Sequence, residues 1–81
     1  MKIKEIEDKL IRQLAVILSL PVAKIKSSIP LHELGVDSLS FVELLVFIEK
    51  EFKIKLMESG ITQGDFRTLH SLAERISKII G

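Results

Sequence analysis

Residues 34–52 read LGVDSLSFVELLVFIEKEF, and this segment decides the class of fold. After Asp37, apolar side chains recur three and four residues apart, which is the spacing of one face of an α-helix. The stripe that this spacing turns toward a core is Phe41, Leu44, Leu45, Ile48 and Phe52. Asp37 is a suitable N-cap, because its carboxylate can accept a hydrogen bond from an unpaired backbone N–H. We therefore predict a helix that begins at Asp37 or Ser38 and ends near Phe52.

The flanking sequence predicts two further helices. The first runs from about Lys2 to Leu18, since Pro21 prevents its continuation. Its inward positions are Ile3, Ile6, Leu10, Leu14 and Ile17. The last helix begins after a cap at Thr68. Its inward positions are Leu69, Leu72, Ala73, Ile76 and either Ile79 or Ile80.

The segments between these helices complete the expected fold. A long loop from about Ser19 to Val36 holds enough apolar residues to pack against the bundle, and long ordered loops tend to be functional. Residues 53–60 are loop-like, and residues 61–66 can form one short helical turn. The alternation typical of β-strands is nearly absent. The predicted fold is all-α, a small bundle of three main helices and one short helix.

Size and composition predict a single domain over residues 1–81. Hydrophobic residues make up 47% of the 81 positions, which is enough for a small core. There is no Cys, so disulfides, Cys-based metal sites and thiol catalysis are excluded, and a reducing cytoplasm is a suitable location. The nearly apolar stretch at residues 14–23 is too short to span a bilayer, so no membrane insertion is expected.

Charge is concentrated in the middle of the chain. The net charge is +1, yet residues 31–52 hold one basic and five acidic side chains, a net −4. A nucleic-acid-binding protein needs a concentrated basic stripe, so no nucleic-acid partner is expected. The one basic amphipathic segment is the first helix, whose docking on a membrane or nucleic acid is a distant alternative. Its basic residues are Lys2, Lys4, Lys9 and Arg12.

Catalytic and metal motifs are absent from the sequence. There is no G-x-S-x-G segment to present a nucleophilic serine, and the two histidines, His32 and His70, have no metal-ligand spacing. We therefore expect no enzyme activity and no metal site, and we expect both histidines at the surface or in loops. Ser38 differs, because its hydroxyl is predicted at the exposed N-terminus of a helix, where a phosphate ester is favoured. The alternative is that Asp37 and Ser38 only cap the helix.

The sequence around Ser38 resembles the acyl carrier protein family. The resemblance begins with Leu34-Gly35-x-Asp37-Ser38-Leu39 and extends over almost the whole chain. Its further matches are Val42-Glu43-Leu44, Glu49, Phe52, Ile61-Thr62, Phe66-Arg67-Thr68 and Leu72-Ala73. The resemblance implies a stand-alone monomeric carrier in which Ser38, next to Asp37, bears a 4'-phosphopantetheine arm. In the family, a phosphopantetheinyl transferase attaches the arm from coenzyme A with Mg²⁺, and the arm's thiol holds acyl groups as thioesters.

The resemblance also assigns a partner-binding face to the second helix. The implied face consists of Leu39, Val42, Glu43, Val46 and Glu49. Apolar side chains ringed by carboxylates suit partner enzymes with basic patches, here acyl-loading ligase or synthase enzymes. Alternatively, Val42 and Val46 simply pack against the loop. Both can hold, since only part of the helix circumference can be covered. Phe47 also lies off the core stripe and is expected away from the core.

Departures from the usual family pattern indicate the kind of pathway. Ser40 stands where many members have an acid, and Lys50 interrupts an acidic run. These features favour a dedicated lipid, polyketide or other secondary acyl-transfer pathway over general fatty acid synthesis. Val36 is less typical of peptidyl carriers, which favours acyl over aminoacyl cargo. The alternative function is a helical protein-interaction module without a prosthetic group.

Overall fold

The computed structural model describes residues 2–80 and has the predicted all-α architecture. Its three main helices are α1 (Ile3–Leu18), α2 (Ser38–Phe52) and α3 (Leu69–Ile80). Short 3-10 turns lie between them, at Val22–Lys24, Leu31–Leu34, Leu56–Glu58 and Gln63–Phe66. No β-strand occurs in residues 2–80. Met1 and Gly81, the two ends of the predicted domain, lie outside the described residues.

All three helices contribute to one shared core. The fully buried large side chains are Ile6, Leu10, Leu14, Leu44, Ile48, Leu69, Leu72 and Ile76. These positions recur at helical spacing within each helix, so each helix buries one stripe in the shared core. The ion pair between Lys9 and Glu51 adds a surface link between α1 and α2, with 2.8 Å between Nζ and Oε2.

Most predicted core positions are confirmed, but Ile3, Phe41 and Leu45 are not part of the core. Leu44, Ile48 and Phe52 of the α2 stripe are buried, whereas Ile3 is exposed. Ile3 is the first residue of α1, about one turn ahead of the first buried position. Phe41 and Leu45 are only half-buried, and the Phe41 ring packs on Phe66 instead of entering the core. The prediction that Phe47 lies away from the core is also wrong. Phe47 is half-buried and packs edge-on against Phe52, with ring centroids 6.3 Å apart.

The long loop before α2 packs against the bundle, as its composition predicts. Ile25 and Leu31 are buried in the core. The backbone N–H of Leu31 donates to the carbonyl of Arg67 over 3.0 Å, and that of His70 donates to the carbonyl of Ser27 over 3.0 Å. The loop is therefore joined to the segment that enters α3.

The approach to α3 also agrees with the sequence-based prediction. The short turn expected within residues 61–66 is the 3-10 turn at Gln63–Phe66. The cap predicted at Thr68 is confirmed, because Thr68 Oγ1 accepts from the Ser71 backbone N–H over 3.0 Å. Within the part of the chain that the structure describes, no helix is long and apolar enough to cross a membrane.

Candidate functional site

The start of α2 is built by Asp37 and Ser40. Asp37 is the N-cap, and its Oδ1 accepts from the Ser40 backbone N–H over 2.8 Å and from Ser40 Oγ over 2.6 Å. These bonds to Ser40, the side-chain bond foremost, lower the pKa of Asp37 below its ordinary value of 3.8. The N-cap predicted at Asp37 is thus confirmed, and Ser40 is part of the same cap.

Gly35 sets the direction from which the chain enters α2. Its φ of 97° lies in the left-handed region, which favours glycine because a Cβ would be strained there. The residue closes the turn at Leu31–Leu34, and the next backbone N–H, from Val36, returns to the carbonyl of Leu31 over 3.2 Å. The glycine therefore lets one tight turn end immediately before the cap of α2.

Ser38 is the first residue of α2 and is exposed. Because Asp37 and Ser40 form the cap, the Ser38 side chain takes no part in it. The hydroxyl therefore lies at the positive end of a fifteen-residue helix without a structural task there. This arrangement makes Ser38 accessible to another enzyme.

An open cleft of about 820 Å³ lies beside Ser38. Its lining residues are Leu31, His32, Val36, Asp37, Ser38, Phe41, Gly64, Phe66 and Arg67. Phe41 and Phe66 meet edge to face in its wall, with ring centroids 5.2 Å apart and an interplanar angle of 74°. Sequence reasoning did not assign Phe66 or Arg67 to the site, because both come from a distant segment that only the tertiary fold brings to Ser38.

The second candidate surface is the face of α2 turned away from the core. Leu39, Val42 and Val46 are 70%, 53% and 44% exposed, and Glu43 and Glu49 are also exposed. The structure thus brings the five predicted residues to one side of the helix at exposed positions. Their exposure is required of a partner face, and the partner role itself stays a prediction.

Helix α1 extends this apolar surface. Val16 is 71% exposed and lines an open groove of about 500 Å³ together with Val42 and Val46. The neighbours of these two α2 residues in the groove belong to α1. Val16 was not predicted to belong to this surface. Its position off the buried stripe of α1 could have indicated that it is exposed.

Glu49 is exposed, but its side chain also accepts a hydrogen bond from the backbone. Its Oε2 accepts from the backbone N–H of Leu56 over 3.2 Å, which joins the last turns of α2 to the following 3-10 turn. Substituting Glu49 would therefore change local structure as well as surface charge. Glu43 has no such backbone role among the hydrogen bonds of residues 2–80, so it is the better position for testing charge alone.

A cluster of titratable side chains lies outside both candidate surfaces. His70 Nδ1 hydrogen-bonds Glu7 of α1, and His70 Nε2 lies 3.6 Å from Oε1 of Glu74. The hydrogen bond to Glu7 raises the pKa of His70 above 6.5. Burial raises the pKa of Glu7, but hydrogen bonds from His70 and Ser27 outweigh burial and lower it below 4.5. His70 is a surface residue, as predicted, but it joins α1 to α3.

Comparisons with known proteins identify the family. Residues 1–80 match the family model described as the C-terminal ACP domain of the highly reducing polyketide synthase sdgA, where ACP denotes acyl carrier protein. Neither curated proteins nor solved structures give a match. Because the matched family covers nearly the entire sequence, the chain belongs to the acyl carrier protein family.

Proposed function

We propose that the chain carries acyl groups on a 4'-phosphopantetheine arm attached to Ser38 Oγ. The observation that carries this proposal is that the residues at the start of α2 have different roles. Asp37 and Ser40 cap the helix, while the Ser38 hydroxyl is exposed and free of that task. A serine needed only as a cap would make the hydrogen bond that Asp37 makes here.

The surroundings of Ser38 suit the chemistry of this arm. A phosphodiester at Ser38 would place its negative charge at the N-terminus of α2, where the helix dipole favours an anion. In the attachment reaction, Ser38 Oγ bonds to the β-phosphorus of coenzyme A, the phosphoanhydride bond breaks, and adenosine bisphosphate leaves. The attached group supplies a terminal thiol that holds acyl cargo as a thioester.

The exposed face of α2 indicates what kind of partner the chain would bind. Leu39, Val42 and Val46 offer apolar contact, and Glu43 and Glu49 offer charge to basic patches. We assign this face to the phosphopantetheinyl transferase and to acyl-loading ligase or synthase enzymes. The name of the matched family supports polyketide synthesis as the dedicated pathway. In this proposal the 81 residues act as one monomeric, non-catalytic carrier domain in the cytoplasm.

Mass spectrometry of the intact protein tests the attachment. Incubation with coenzyme A, Mg²⁺ and a broad-specificity transferase should add one phosphopantetheinyl mass to the wild type and none to Ser38→Ala. The Ala variant should remain folded, because an exposed hydroxyl makes no core contact. Ser28→Ala, which removes another exposed serine hydroxyl, should be modified like the wild type.

Two results would overturn the assignment. A wild type left unmodified by several transferases would favour the alternative, a helical interaction module without a prosthetic group. A folded Ser38→Ala chain that still gained the mass would place the arm elsewhere.

A further inference from the structure

The cleft beside Ser38 is lined by an arginine, Arg67, whose positive charge is not paired with a carboxylate within residues 2–80. Arg67 is exposed and lines the cleft, and none of the ion pairs within residues 2–80 includes it. Arg75, in contrast, lies 3.8 Å from a carboxylate oxygen of Asp65 and donates to the carbonyl of Gly60. Arg67 therefore remains available for an anion that the chain itself does not supply.

Two contacts hold the backbone at Arg67 beside the cleft. Its carbonyl accepts from the backbone N–H of Leu31, in the turn that leads into α2. The preceding residue, Phe66, packs edge to face on Phe41, which lies one helical turn after Ser38 on the same side of α2. Both contacts connect the backbone at Arg67 to α2 or to the turn that leads into it.

The cleft matches the part of the arm that lies nearest to the protein. The first group after Ser38 Oγ is a phosphodiester with one negative charge. The second is the pantoyl segment, whose carbon skeleton carries two methyl groups and is apolar. A guanidinium can pair with the phosphodiester, and two aromatic rings beside it can contact the branched apolar group that follows.

We infer that Arg67 pairs with the phosphodiester and that Phe41 and Phe66 contact the pantoyl methyl groups. This inference rests on the proposed function, since it requires the arm at Ser38. Asp37 also lines the cleft, and its carboxylate would repel the phosphodiester. Arg67 offsets this repulsion, while the bonds from Ser40 hold the Asp37 carboxylate in the cap. Arg67 is thus a positioning residue that biases the direction in which the arm leaves Ser38.

NMR spectroscopy of the phosphopantetheinylated protein tests the inference without any activity assay. In the wild type, the pantoyl methyl signals should be shifted from those of free phosphopantetheine by the aromatic rings, and should give NOEs to Phe66. Arg67→Gln should reduce the docked fraction about two- to fivefold, the range expected for an exposed ion pair. Arg67→Lys should keep part of the effect, and the matched control Arg12→Gln, on α1, should keep all of it. High salt should weaken docking in the wild type.

The outcomes separate this inference from the proposed function. A wild type that gains no phosphopantetheinyl mass fails at the attachment step and overturns both. A modified wild type whose methyl signals match free phosphopantetheine overturns the inference alone. The inference alone is also overturned if Arg67→Gln leaves unchanged the methyl chemical shifts, the NOEs and the phosphorus NMR signal of the phosphodiester. Amide spectra of the unmodified variants show whether any loss comes from misfolding instead.

Discussion

Stability measurements on α2 should distinguish its core stripe from its exposed face. Leu44 is fully buried, whereas Val46 is 44% exposed. Leu44→Ala removes buried carbons and leaves a cavity, which costs about 2–5 kcal/mol. Val46→Ala removes two half-covered methyl groups and gains helix propensity, so the expected loss is about 0–0.5 kcal/mol. The milder Ile48→Val should cost about 0.5–1.5 kcal/mol.

Urea unfolding followed by circular dichroism measures these differences. An 81-residue domain has a stability on the order of 4–12 kcal/mol, so Leu44→Ala removes a large fraction of it and Ile48→Val serves if that variant does not fold. The denaturant dependence of the free energy should be the same for all folded variants. Equal losses for Leu44→Ala and Val46→Ala would refute the assignment of the two faces.

The remaining predictions concern pH and partner binding. Glu7 contributes to stability fully above pH 4.5, and its contribution is lost as pH falls through its lowered pKa. His70 contributes fully below pH 6.5, and its contribution is lost as pH rises through its raised pKa. Unfolding of wild type and His70→Gln should therefore differ most between those pH values, and a difference unchanged up to pH 9 would contradict the pairing. Glu43→Lys should slow modification by the transferase at low salt more than at high salt, with Glu58→Lys as the matched control. Equal rates for the two variants would mean that Glu43 is only a solvated charge.

Local patterns were sufficient to predict the helices and the start of α2. The spacing of apolar residues identifies Leu44 and Ile48 as core positions because helical periodicity is a property of the segment itself. The Asp37 cap was predictable for the same reason, since its hydrogen bond goes to Ser40, three residues along the chain.

Features that depend on tertiary packing could not be predicted in this way. The cleft joins Phe41 to Phe66, and the histidine cluster joins Glu7 to His70, so neither pair is adjacent in sequence. Phe47 lies off the ideal core stripe but is half-buried through its contact with Phe52. Large aromatic rings can reach beyond the stripe on which their backbone lies, which explains why periodicity alone misplaced Phe47.

Thiol titration tests the central claim most directly, because the chain contains no Cys. The unmodified protein should show no free thiol, and after treatment with coenzyme A and transferase it should show one thiol per chain. Acyl loading should remove that thiol, hydroxylamine should restore it, and Ser38→Ala should show none at any stage. A carrier role is contradicted if the treated wild type has no thiol, or if its thiol remains free under every loading condition.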